Sequence, residues 1–328
     1  MRDASYRRAP AANLPVRGEP ERRRLANRLA IAYVTDTIAL ARGERHLLEA
    51  LLASAIVQAN TDVVSRQADL QVAYAGADDI VPDAMRRPVS INALATSLGL
   101  PFETVRRRVR SLVAQQIAVV VEGGLVVPSA ALSRPDYLMA AFASYERLRR
   151  LYRDLLALGL LEDLPPPSVD LRDGVVPLRT VARLATDYVL RFVELLMAQF
   201  GEVQDSLLFV SIVRWNTEAL GPELRGGPGD LAEDFPPDLM RQPVTAAALA
   251  RHIGLPAETV RRRVAALEAR GLCRSDGRRG FIVPAAVLAR PEVLAVMEDN
   301  WRNLRRLFTG LAQLGVLQIW DDLAAAQD

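Results

Sequence analysis

Two stretches of this chain are near-copies of one another, and that repetition constrains the fold more than any other feature. Met85-Arg-Arg-Pro-Val and Met240-Arg-Gln-Pro-Val open segments that align at an offset of 155, and 18 of the 29 positions from Met85 to Val113 are identical to those from Met240 to Glu268. After one inserted residue the match continues at an offset of 156, pairing Val126-Val127-Pro128 with Ile282-Val283-Pro284 and Arg134-Pro135 with Arg290-Pro291. Upstream it is weaker, with Tyr33 meeting Tyr188 and Asn60-Thr61-Asp62 meeting Asn216-Thr217-Glu218. A chain of 328 residues is long enough for two such units, each with its own core.

The repeats divide the chain into a basic N-terminal arm at 1–20, expected to be disordered, a first repeat at 21–161, a linker at 162–179 and a second repeat at 180–320. The linker contains Pro165-Pro166-Pro167 and is expected to act as a stiff extended spacer. Within the repeats the pattern is mostly helical, with expected helices at 22–42 and 46–74 and their counterparts at 180–199 and 203–220. Next comes a short Pro-Val extension, then a helix with an N-cap at Ser90 or Thr245 that closes at Gly99 or Gly254. A second helix begins beside Pro101 or Pro256 and runs to about Gln116 or Gly271, and two β-branched runs joined through Gly123-Gly124 or Gly277 to Gly280 read as hairpins. The last helix of each repeat carries a heptad-like seam, Ala141, Tyr145, Leu148, Tyr152 and Leu155 against Leu294, Met297, Trp301, Leu304, Phe308 and Leu311. Either the seams join the two halves into a pseudo-dimer, or each seals its own half.

Extension, helix, three-residue turn, helix and hairpin in that order resemble the winged helix-turn-helix domain of MarR, GntR and IclR regulators, twice in one chain. The residues that carry the resemblance are Leu249, Ala250, Ile253, Gly254, Thr259-Val260, Val264 and Leu267, with Leu94, Ala95, Leu98, Gly99, Thr104-Val105, Val109 and Leu112 in the first repeat. The first repeat departs from the pattern at Gln116, where a glycine is expected. The resemblance covers about 45 residues per half and implies a mainly α fold with small β-wings. It also implies a DNA-binding surface, with Thr104 and Thr259 at the position of the family's DNA-facing threonine.

The residues point the same way without the resemblance. On a wheel of 100° per residue, Val260, Val264 and Leu267 fall within about 60° and must face inward. Arg262 then points outward, with Arg261 and Arg263 to either side, and Arg106, Arg107 and Arg108 repeat the arrangement. A major groove admits one helix, with base edges on its floor and phosphates along its walls, so the central arginine suits guanine and its neighbours suit phosphates. The bland reading is a solvated arginine face with ion pairs from Glu103 to Arg107 and from Glu258 to Arg262. The distribution of charge argues against it. Arg86 to Arg110 holds six arginines and one acid, and Arg241 to Arg279 holds nine arginines and three acids, in a chain whose net charge is only +2. Arg110 lies beside the first triplet, and Arg274, Arg278 and Arg279 give the second wing phosphate-binding capacity that the first wing, with Glu122, lacks.

The single Cys273 excludes an internal disulfide and a multi-cysteine zinc site. The N-terminus lacks the apolar stretch of a signal peptide, and the oily segments are too short to span a bilayer, so a cytoplasmic, nucleoid-associated protein is expected. His46 and His252 stand apart from any nucleophile or metal-ligand pattern, and no phosphate-binding glycine motif occurs. The expected function is sequence-specific regulation of transcription through double-stranded DNA, with no enzymatic activity, cofactor or metal. The alternative is a protein-interaction or chromosome-organising protein built on winged helices. A homodimer and a small-molecule effector remain open as further partners. Trp215, Trp301 and Trp320 are expected in the core, and the Asn-Thr-acid triplet is expected to fix helix register.

Overall fold

The computed structural model describes residues 18–171, 174–220 and 235–325. The expected disordered arm, with Arg2, Arg7, Arg8 and Arg17, lies almost wholly outside them. The chain is mainly helical, with two small antiparallel sheets. Helices α1 (Glu19–Arg42), α2 (Leu47–Asn60), α3 (Asp62–Ser65) and α4 (Ala68–Ala73) lead into α5 (Ile91–Ser97), α6 (Phe102–Ala114), strands β1 (Val119–Val121) and β2 (Gly124–Val126), α7 (Ser129–Leu132) and α8 (Pro135–Ala157). Then follow α9 (Leu178–Phe200), α10 (Val203–Thr217), α11 (Ala246–Ile253), α12 (Ala257–Ala269), β3 (Arg274–Ser275), β4 (Phe281–Ile282), α13 (Ala285–Leu288), α14 (Pro291–Gln313) and α15 (Val316–Ala325).

Local signals place most of these ends. Ser90 Oγ accepts the Ala93 amide and Thr245 Oγ1 accepts the Ala248 amide, so both expected N-caps form. Gly254 closes α11 in the left-handed region at φ 73°. Gly271 turns the chain out of α12 at φ 66°, and Gln116 adopts the same conformation after α6 at φ 57°. Each hairpin gains a third partner from the Pro-Val extension, because Val89 bridges Leu125 and Val244 bridges Phe281. The approach is close enough that a Cβ on Gly124 or Gly280 would stand 2.4 or 2.3 Å from the carbonyl oxygen of Val89 or Val244.

One buried amide ties each hairpin to the helix before it. Asn60 Nδ2 donates to the carbonyls of Arg87 and Leu125 while its Oδ1 accepts the Val127 amide. Asn216 makes the matching bonds to Gln242, Phe281 and Val283. Both side chains are fully buried, so the triplet is a structural clamp.

The long helices form a common core. α1 packs on α8, α10 and α14, and α9 packs on α14, α2 and α8. The seams meet one another, with the Tyr152 and Phe308 rings 5.8 Å apart, and Tyr33 lies 6.4 Å from Tyr188. Trp301 and Trp320 are buried in this core, and Trp320 Nε1 donates to the Tyr145 hydroxyl. Two expectations need correction. The helix expected over 46–74 breaks at Thr61, whose hydroxyl folds back on the Val57 carbonyl. The proline-rich segment is no free spacer either: Leu164 and Val169 pack against the core, Ser168 bonds the Gln313 carbonyl, and Asp163 pairs with Arg305. Beyond it, Arg179 and Arg183 of α9 are buried and donate to carbonyls of α4 and the loop after it, at Gln71, Tyr74 and Ala77.

Two stability predictions follow from these contacts. Gln116→Gly relieves a left-handed side-chain residue at an exposed site and should raise stability by about 0.5–1 kcal/mol in urea unfolding. Asn216→Ala strands buried backbone groups and should lower stability by about 1–3 kcal/mol, with loss of hydrogen-exchange protection at Val283.

Candidate nucleic-acid interface

In both α6 and α12 the apolar side is set by two valines and a leucine, and all six residues are buried. The rest of each helix is therefore turned outward. Arg107 and Arg262 are exposed and have no ion-pair partner among the described residues. The acids expected to pair with them reach one residue short: Glu103 binds Arg106 at 2.6 Å and Glu258 binds Arg261 at 3.0 Å. Spacings of three and four are both permitted on a helix, and here the shorter one leaves the central guanidinium free.

The third arginine of each triplet, Arg108 or Arg263, is half-buried and paired with a neighbouring helix. Arg108 Nη1 lies 3.2 Å from Glu49 on α2, whose other carboxylate oxygen accepts from Gln115. Arg263 meets Asp205 at 2.7 Å and Glu202 at 2.9 Å at the start of α10. Burial alone would lower the Arg263 pKa, and the hydrogen bonds from these carboxylates more than offset it. The physical reason is angular. At 100° per residue Arg263 stands only about 40° from Leu267, so its side chain leaves the helix beside the core and meets the neighbouring helix. The sequence carried a signal for this, because Glu49 and Asp205 are acids at matched positions 156 residues apart.

The remaining residues divide similarly. Arg110 is exposed, and Thr104 and Thr259 are half-buried on the first turns of α6 and α12. In the second wing Arg278 is exposed without an ion-pair partner among the described residues, whereas Arg279 binds Asp276 and Arg274 binds Asp238. Arg86 and Arg241 add nothing to the surface, since both side chains are fully enclosed beside Asp83 and Asp238. Burial lowers the pKa of each guanidinium. His252 is also turned inward, edge-on to Trp215 at 6.2 Å, and burial holds its pKa below the usual value. Burial pushes the Cys273 thiol up to about 12, which leaves it protonated at neutral pH.

Among the described residues no group of three or more His, Cys, Asp or Glu could hold a metal ion, and no single helix is long and apolar enough to cross a membrane. What the surface offers is cationic: two exposed helices, each with a free central arginine and a paired one beside it.

The division of roles gives a paired prediction. Glu49→Ala should cost about 1–3 kcal/mol of stability by leaving Arg108 half-buried without its carboxylate. Arg107→Ala should leave the urea midpoint within error, because its side chain supports nothing. Equal losses from the two substitutions would contradict the assignment. No protein-family model, curated protein or solved structure matches this chain.

Proposed function

We propose that the chain is a duplicated winged helix-turn-helix protein that binds double-stranded DNA through α6 and α12 and acts as a sequence-specific regulator. The observation that carries the reading is the solvent-exposed, unpaired arginine at the centre of each of these helices, Arg107 and Arg262, held outward by a buried valine-leucine face. In this reading those two reach base edges. Arg106, Arg110, Arg261, Arg278 and Arg279 meet phosphates, together with Thr104 and Thr259, and Arg274 contributes from the wing's edge. Arg108 and Arg263 position the helices instead of touching DNA.

The contacts among the long helices support a pseudo-dimer. Exchanging α1 with α9, α2 with α10 and α8 with α14 turns each observed packing pair into another observed pair, as a two-fold relation requires. Tyr33 and Tyr188, matched in the alignment, face each other as residues near such an axis would. Two recognition helices related in this way suit half-sites about one helical turn apart, roughly 34–36 Å.

A second reading applies to the first module. Val119, Val120 and Val121 are all exposed on its wing, Val120 at 70%, and Phe102 is 47% exposed at the start of α6. An apolar wing suits a protein contact better than phosphates.

Selection of bound fragments from random and genomic duplex DNA tests both readings. The regulator reading expects a two-part motif, with Arg107→Ala and Arg262→Ala each relaxing one half and costing about 1–3 kcal/mol. A motif with one half only would assign DNA to the second module and the protein contact to the first. No enrichment would overturn the DNA reading. Arg278→Ala should weaken binding to every sequence alike and flatten the salt dependence by about 0.9 in log–log slope.

A further inference from the structure

The buried apolar side chains form two clusters, and they do not divide at the repeat boundary. The core of the second module is continuous with the long helices, whereas the core of the first module stands apart on α2. A cavity of about 490 Å³ lies between them, lined by Ile117, Val127 and Leu132 from the module and by Thr37, Ala141 and Ala185 from the long helices.

The matched positions of the other half show why it is open. Where the first half has Thr37, Ala53 and Ala141 around the cavity, the second has Phe192, Phe209 and Met297. Phe192 and Phe209 are buried, and Phe209 packs 4.4 Å from Phe200. The polar groups differ in the same sense. Tyr188 donates to Asn300, which donates in turn to Asn27. Around Tyr33, the match of Tyr188, the positions of those two asparagines hold Ser144 and Ala182. The buried Tyr33 hydroxyl lies within reach of the Ser144 and Thr37 hydroxyls, and burial raises its pKa. At the α1–α2 turn and the start of α8 the lining is ionic, with Arg42, Arg45 and Arg134 against Glu44 and Asp136, and Nε of both Arg42 and Arg45 is buried without an acceptor.

We infer that this cavity is a binding site for a small aromatic or polycyclic anion, whose rings occupy the volume that Phe192, Phe209 and Met297 fill in the other half. Its oxygen substituents would accept from the Thr37 and Ser144 hydroxyls and from the arginine end. The size lies in the range of small-molecule pockets, and the composition is the usual one of apolar walls with a few convergent polar groups. The inference concerns the cavity alone and stands whether or not the chain binds DNA.

The probes are 1-anilinonaphthalene-8-sulfonate and its neutral relative N-phenyl-1-naphthylamine, titrated by fluorescence into the full chain. Saturable binding of the sulfonate at one site per chain is expected, with the neutral probe weaker. Ala53→Phe, and separately Ser144→Asn with Ala182→Asn, copy side chains that the matched positions already accommodate. Each should lower sulfonate affinity about tenfold or more while the folded circular dichroism spectrum is kept. Arg134→Gln should weaken the sulfonate and leave the neutral probe unchanged. Absence of saturable binding by the native chain, or unchanged affinity in a folded cavity-filling variant, would overturn the inference.

Discussion

The structure depends on the mutual burial of four long helices, α1, α8, α9 and α14. Their apolar stripes are covered in part from the other repeat: Tyr152 of α8 closes against Phe308 and Trp320, and Tyr188 of α9 packs beside Tyr33. Two chains that met through such seams would lose their pairing on dilution. Here both sets of helices belong to one chain, and the encounter is intramolecular. The polar contacts agree with this arrangement, since the buried guanidiniums of Arg179 and Arg183 in the second half satisfy carbonyls of the first.

From this core outward, each helix pair and hairpin is held by a short chain of specific contacts. Asn60 and Asn216 fasten the hairpins to α2 and α10. Arg108 and Arg263 fasten α6 and α12 to the same two helices. Such half-buried ion pairs add little net stability compared with apolar packing, but removing one partner leaves a charge with nowhere to go, so they fix orientation. The consequence is that the outward arginines are carried on helices whose rotation is restrained from both sides. A side chain that is to meet a base edge needs that restraint.

The two halves differ in what they leave open. The second is filled with aromatic side chains where the first has alanine, serine and threonine, and its wing carries arginine where the first carries valine. The buried core is continuous from the long helices to α12, whereas that of the first module is a separate cluster on α2.

Periodicity, caps and turn glycines made much of this legible in the sequence: the N-caps at Ser90 and Thr245, the inward valines of α6 and α12, the hairpins, and the outward direction of Arg107 and Arg262. These features are local, set by angles along one helix or by the backbone freedom of one residue, and one chain segment contains all the information. The sequence did not disclose that Arg108 and Arg263 turn away from solvent, that the proline-rich segment lies against α14, or that a cavity opens beside α2. Each of those depends on which group from a distant segment stands opposite, the Glu49 carboxylate, the Gln313 carbonyl or the Ala141 side chain, and only the packing of the long helices brings such groups together. Direction along a helix is a property of the sequence, but the partner met in that direction is decided by the tertiary structure, because complementary charge and volume act only across contacts that the fold has first created.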